Sequence, residues 1–482
     1  MARTAIPDIV LTFAAKPHWR HNEKHNRQRY DSGSAPMSES SPMKWLLSKG
    51  FAREEFRDRR RRIAQTIGPD AHALVQGAPR SAGMQADLAQ SKQFFYLSGM
   101  DIERSYLLIE GGSGISTLFV PMDEVGEGHH ETATLTADDL PELARIASFD
   151  RVLPVEQMKA ELAGVETLFT PHEPAEHAGE TRGTARRAAR HRAQDEWELR
   201  DTREKRMISL LGRRFPDMVI QDLSPVIDEM RLIKSPAEIE VMREAARITA
   251  VMVNECMKAS YSGMPRHQLT AIGKYVYWME GQSSEGYGWL VEPSTPASDT
   301  LVDGDLVLMD CGPEYCHYTS DIARIWPVNG TYDEWQRHTY GFIVEYHKAL
   351  ISRLRPGVIP QDVYDDTADE MRKRFKGDST AVAMIENMVA RGVRYLNHTV
   401  GMSVHDNVKQ WHGDPLREGM VLVVDPMIWL KDVSHTYVRV EDTVVITSDG
   451  CERLTADAPL ELDEVEALMR EPSIFTSQET RR

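Results

Sequence analysis

The residues of this chain with the clearest chemical potential are acids at the ends of apolar runs. DGDLVLMD finishes at Asp310 and EGMVLVVD at Asp425, and the two octapeptides repeat each other. In each, a Gly turn leads into the pattern of a buried strand, which then delivers a carboxylate where burial disfavours one. Each acid has a partner downstream. Asp321 stands in HYTSDIARIWPVNG, and a hairpin turning near Tyr315 sets it opposite Asp310 on one face. Glu441 stands in TYVRVEDTVVIT, and a second hairpin, turning near Val433, pairs it with Asp425. Four carboxylates converging in a core repel one another unless cations neutralise them, and two divalent metals would do so. The natural fifth ligand is His398, in YLNHTVGMSVHD, because an imidazole among carboxylates suits Mn, Co, Zn or Fe better than Ca or Mg. Cys311, Cys316 and His317 lack the second half that a zinc motif needs, and are read as hairpin residues.

Two metals about 3.5 to 4 Å apart can share a hydroxide formed near neutral pH and polarise a carbonyl, which is the chemistry of a metallohydrolase. In that reading Asp425 accepts the proton of the attacking water and His405 steadies the tetrahedral oxyanion. Arg439, just ahead of Glu441, completes the catalytic set.

The elements that must position these groups are legible in outline. Ser235, Pro236 and Glu238 form a capping box that opens a long helix, with Ile239, Met242, Ala246 and Val253 at helical spacing packing against the metal-bearing sheet. SGMPRHQL and PGVIPQDV mark equivalent turn-plus-helix points near Gly263 and Gly357, so the repeat covers helices as well as strands. Met371, Met384 and Met388 read as core filling. Ahead of this, HALVQG, FFYLSG, SYLLIE, STLFVP and ETLFTP read as short strands of an α/β domain. AREEFRDRRRRIAQTI reads as a helix whose arginines are solvated, and residues 182 to 206 as one exposed, charged helix.

The chain has 482 residues, which exceeds one ordinary core, and 41% hydrophobic residues, ample for two. A net charge of −17 disfavours nucleic acid and anionic membranes as partners. Four cysteines are too few for a disulfide framework and point to a reducing compartment, the cytoplasm. The first thirty or so residues lack the apolar core of a signal peptide, no run reaches the length of a membrane span, and the Ser- and Pro-rich residues 30 to 43 read as a flexible arm.

LVLMDCGPEYCHYTSDIARIWPVNG, RVEDTVVIT, QFFYLSGMD and the segment from 222 to 250 together resemble the M24, or pita-bread, metallopeptidases, in the aminopeptidase P and prolidase branch. The resemblance runs from about Pro42 to about Met469. It implies an α/β (α+β) architecture: an arm over 1–43, a creatinase-like N-terminal α/β domain over 44–222, a pita-bread catalytic domain with a pseudo-twofold repeat over 223–465, and a tail over 466–482. By that resemblance Asp310 binds one metal, Asp321 and Glu441 bridge both, and His398 completes the other with Asp425. It also implies an aminopeptidase cleaving the Xaa-Pro bond of a proline-containing peptide with two divalent ions, Mn first among them, in a homodimer or higher homo-oligomer. Three positions depart from the family pattern. Asp425 stands where the family has Glu, residues 281 to 309 lack the His usually found ahead of the first Asp, and Arg394 stands where another His usually precedes the metal His. These departures keep two alternatives open, a non-peptidase metalloenzyme such as a dimethylsulfoniopropionate lyase and a non-catalytic peptide- or protein-binding module.

Overall fold

The computed structural model describes residues 50–79, 90–122, 135–282, 285–287, 290–293, 298–390, 398–406, 413–429 and 437–475. The arm at 30–43, the turn near Val433 and Arg394 lie outside these residues.

The first sheet contains β1 (Ala71–Gln76), β2 (Tyr106–Glu110), β3 (Ser116–Val120), β4 (Arg151–Pro154), β5 (Thr167–Thr170) and β6 (Val219–Asp222), in the order β4-β3-β2-β1-β5-β6. β2 runs antiparallel to β1 and β3, and the outer pairs are parallel. Three readings in this half need correction. FFYLSG lies in a helix, Lys92–Ser98, because Ser91 caps its start and Gly99, in the left-handed region, ends it. Short apolar runs fit either structure until such caps are weighed. The arginines of the Arg53–Ile67 helix divide between core and solvent: Arg61 is exposed, but Arg59 is buried over the Tyr96 ring and paired with Glu55 and Glu238. Arg60 is buried over Phe149 and donates to the Leu97 and Ser148 carbonyls. The stretch 182–206 forms two helices, Arg182–Gln194 and Arg203–Arg214, with Thr202 capping the second and Arg182 buried.

The second sheet is antiparallel. It is built from β7 (Leu290–Pro293), β8 (Leu306–Cys311), β11 (Ile322–Pro327), β12 (Val421–Val424) and β15 (Glu441–Ile446), in the order β12-β15-β11-β8-β7, with β16 (Cys451–Arg453) on β15. Two small ladders extend from it, β9 (Glu314–Tyr315) with β10 (Tyr318–Thr319), and β13 (Met427–Trp429) with β14 (Tyr437–Arg439). β11, β12 and β15 are buried at every residue; β12 is apolar throughout, whereas β11 carries Arg324 and β15 carries Glu441, Asp442 and Thr443 into the core. The Pro236–Ala259 helix begins with the expected capping box and buries Met242, Ala246 and Val253.

The internal repeat is visible in the backbone. Gly263 and Gly357 both have positive φ and open equivalent helices, Arg266–Met279 and Pro360–Arg374. The Gly263 amide donates to the Leu301 carbonyl ahead of β8, and the Gly357 amide to the Leu416 carbonyl ahead of β12. Each half therefore closes its turn on the approach to the strand that carries its acid.

Candidate metal centre

Cross-strand register assembles the site. β8 pairs with β11 so that Asp310 faces Ala323, not Asp321, because the turn centres on Cys316 and His317, both at positive φ. The expected opposition of Asp310 and Asp321 is thus offset by two residues, and the hydroxyl of Tyr287 spans it, its oxygen 2.8 Å from Asp310 Oδ1 and 2.5 Å from Asp321 Oδ1 with one proton between the two carboxylates. On the other side, Val424 pairs with Asp442 and Met427 with Arg439, which brings the intervening Asp425 and Glu441 abreast.

Arg439 ties the carboxylates together. It donates through Nη1 to Asp310 Oδ2 at 2.7 Å, through Nε to Asp425 Oδ1 at 2.9 Å, and through Nη2 to Glu441. Facing it, His398 Nε2 lies 3.6 Å from Asp321 Oδ2 and 4.0 Å from Glu441 Oε1. Ligand atoms of Asp321, His398 and Glu441 fall within 4.8 Å of one another. The His405 ring stands 4.1 Å from that of His398, between centroids, at the exposed mouth. Of the seven residues read from the sequence as ligands or catalytic groups, Asp310, Asp321, His398, Asp425, Arg439 and Glu441 meet in one place, and His405 stands at its entrance. Tyr287 was not anticipated. It lies in a loop without periodicity, and no spacing rule connects it to the acids.

The electrostatics suit a cation. Burial, followed by Asp310 and Asp425, pushes the Asp321 carboxyl well above its ordinary range; burial, followed by Asp321 and Asp425, does the same to Glu441 despite Arg439. Burial and then His405 hold His398 well below the usual histidine range, leaving a neutral imidazole able to donate a lone pair. Glu441 Oε1 is buried and has no hydrogen-bond partner among the described residues. An acceptor buried unsatisfied is costly, and a divalent ion between Glu441, Asp321 and His398 would satisfy it. The donor set fits such an ion.

The geometry therefore defines a carboxylate- and imidazole-lined metal site on an antiparallel sheet behind an α/β domain. Two family models match the chain in this order, the aminopeptidase P N-terminal domain at residues 56–169 and metallopeptidase family M24 at residues 240–448. The Xaa-Pro aminopeptidase of Escherichia coli strain K12 is 27% identical over 452 residues, covering 87% of this chain and 98% of that protein. A structure of Escherichia coli aminopeptidase P with the inhibitor Pro-Leu superposes with a TM-score of 0.68 at 24% identity, over 87% of this chain and 98% of the other. A zinc-substituted structure of that enzyme in complex with product gives 0.66 at 25% identity, with the same coverage. The chain belongs to metallopeptidase family M24, with the aminopeptidase P arrangement of an N-terminal domain ahead of the catalytic one, and is a peptidase dependent on divalent metal. Among the described residues, no helix is long and apolar enough to cross a membrane.

Proposed function

We propose that the protein is an Xaa-Pro aminopeptidase, releasing the N-terminal residue of peptides whose second residue is proline. The observation that carries this reading is the convergence of Asp310, Asp321, His398, Asp425 and Glu441 around Arg439, on a chain related along nearly its whole length to an Xaa-Pro aminopeptidase. Two divalent ions fit the excess of four carboxylates over one guanidinium. Asp321, His398, Asp425 and Glu441 would hold one, and Asp310, Asp321 and Glu441 the other, with manganese the first choice and cobalt, zinc or iron workable. Bound there, divalent metal supplies a water nucleophilic near neutral pH and polarises the scissile carbonyl.

The chain's own residues do the rest. Tyr287, whose hydroxyl burial and the flanking Asp310 and Asp321 keep protonated, fixes both carboxylates at one angle. Asp425, oriented by Arg439, takes the proton of the attacking water. His405 offers a ring N–H to the developing oxyanion from the mouth of the site. The excess negative charge attracts the free amino group of a peptide substrate. Catalysis belongs to residues 223–465, with the domain over 44–222 covering it, and we place the enzyme in the cytoplasm as a homodimer or higher homo-oligomer, its cysteines outside any disulfide.

Metal-stripped protein, reloaded separately with Mn, Co, Zn or Fe, should release the first residue of Xaa-Pro-Yaa tripeptides. Cleavage of Xaa-Pro dipeptides alone would make it a dipeptidase. No turnover of either with any metal, against turnover of dimethylsulfoniopropionate, would overturn the peptidase reading.

A further inference from the structure

Behind His405 the chain runs as a strap, residues 401 to 406, held by groups from both domains. Asp406 accepts from Arg231 Nη2 at 2.5 Å and from Lys234 Nζ at 3.0 Å, both near the end of the Ser224–Leu232 helix. Arg231 also reaches Glu176 Oε2 at 3.2 Å, in the N-terminal domain, and Glu176 is shared with Arg182 at 3.4 Å. Lys92 donates to the Met402 carbonyl and pairs with Glu314 at 3.3 Å, and Ser403 Oγ donates to the Glu180 carbonyl at 3.1 Å. Glu176, Arg231 and Asp406 are all at most 2% exposed. There is no slack in the strap: a Cβ on Gly401 would sit 2.4 Å from Asp406 Oδ2 and 2.9 Å from Lys234 Cε.

We propose that Glu176 is a positioning residue for His405, acting through Arg231 and Asp406. Glu176 touches neither the metal ligands nor His405. Its carboxylate fixes the Arg231 guanidinium from one side, Arg231 fixes Asp406 from the other, and Asp406 is bonded in sequence to His405. The Asp406 backbone amide and Oδ1 complete the clamp, the amide donating to the Thr399 carbonyl and Oδ1 accepting from the Ser403 amide. Each of these groups is buried and charge-paired, so loosening one end leaves the next without a fixed partner. The N-terminal domain thereby sets where the imidazole at the mouth of the site points, and its contribution to turnover rests on the function proposed above.

The test is Glu176→Gln in the full-length, metal-loaded protein, read by peptide kinetics and by the position of the His405 ring in a crystal structure of the variant. Loss of the clamp should lower kcat about tenfold, less than the hundredfold on the order expected for a 1 Å misplacement, with KM little changed. The His405 ring should leave its place 4.1 Å, between centroids, from that of His398. Leu168→Ala, in the buried sheet of the same domain, should lower thermal stability with neither effect. If Glu176→Gln fails to fold, Ser403→Ala, which cuts the strap's bond to Glu180, should move both readouts in the same direction by less. An unchanged kcat and His405 ring position in the folded variant, or the same changes in Leu168→Ala, would overturn the proposal. Should the wild type cleave no peptide, the function proposed above fails, and the position of the His405 ring in the variant still decides the positioning role.

Discussion

At the metal centre four carboxylates, Asp310, Asp321, Asp425 and Glu441, surround one guanidinium, Arg439. Under the strap, Glu176, Asp228, Glu314 and Asp406 meet Lys92, Arg182, Arg231 and Lys234, charge for charge. Burial opposes ionisation in both clusters, and the neighbours decide the outcome. Asp321 and Glu441 are driven upward, toward protonation, whereas Arg231 and Arg182 hold Glu176 below its usual range and Arg231 with Lys234 hold Asp406 well below. A buried cluster that neutralises itself fixes geometry, and one left with excess negative charge requires a cation from outside.

The largest expected effect separates the two. Glu441→Gln should lower peptide turnover by at least about 1,000-fold, about 4 kcal/mol of transition-state stabilisation, while raising the stability of the metal-free protein, because it removes a repelled acid from the core. Elemental analysis should give about two ions per wild-type chain and none in Asp321→Ala or Glu441→Ala, since each residue is assigned to both ions. A metal-free Glu441→Gln protein less stable than wild type would erase the contrast.

In the balanced cluster the sign reverses. Asp406→Asn leaves Arg231 and Lys234 without their buried anion and should cost roughly 3–5 kcal/mol in urea unfolding, with or without metal. A cost within about 0.5 kcal/mol of zero, the range of an ordinary surface change, would mean that the cluster is not held by its charges.

Legibility in the sequence differed between the same two regions. The metal acids end apolar strands, and strand periodicity with internal repetition marks them. Arg231 and Asp406 are 175 residues apart and Glu176 lies another 55 ahead of Arg231; the three lie in a helix end, a strap and a loop and share no period, so only the fold brings them together. Tyr287 was missed for the same reason. The Lys92–Ser98 helix was misread because its apolar run is too short to show a period, and the buried arginines because a charge run carries no sign of which members lie over aromatic rings.

A smaller effect probes the floor of the metal centre. His347, wholly buried with Nε2 3.3 Å from Asp442 Oδ2, is pushed down to about 4, chiefly by burial, from an ordinary 6.5. The unfolded chain therefore binds its proton first, so the stabilising contribution is present above about 6.5 and is lost as pH falls through about 4. Metal-free protein should lose on the order of 3 kcal/mol across that window through this group, and His347→Gln should flatten the urea-unfolding profile there. An unchanged profile in the variant would assign the acid sensitivity to the carboxylates alone.

The smallest effect is expected at Asp425, where the second copy of the repeat departs from the family's Glu. Its Oδ1 accepts from Arg439 Nε at 2.9 Å, so the short side chain already spans the distance to the guanidinium that also holds Asp310 and Glu441. Asp425→Glu adds a methylene between the end of β12 and Arg439. The longer carboxylate can keep its guanidinium contact only by displacing Arg439 or by bending away from it, and either shift disturbs a site where misplacing a group by about 1 Å costs on the order of a hundredfold. Because Glu has the rotamers to absorb part of that shift, the loss in Xaa-Pro turnover should be modest, about fivefold, with metal content unchanged. A gain in turnover would show that Asp425 is merely a shortened ligand, and that Arg439 yields to the reach found elsewhere in the family.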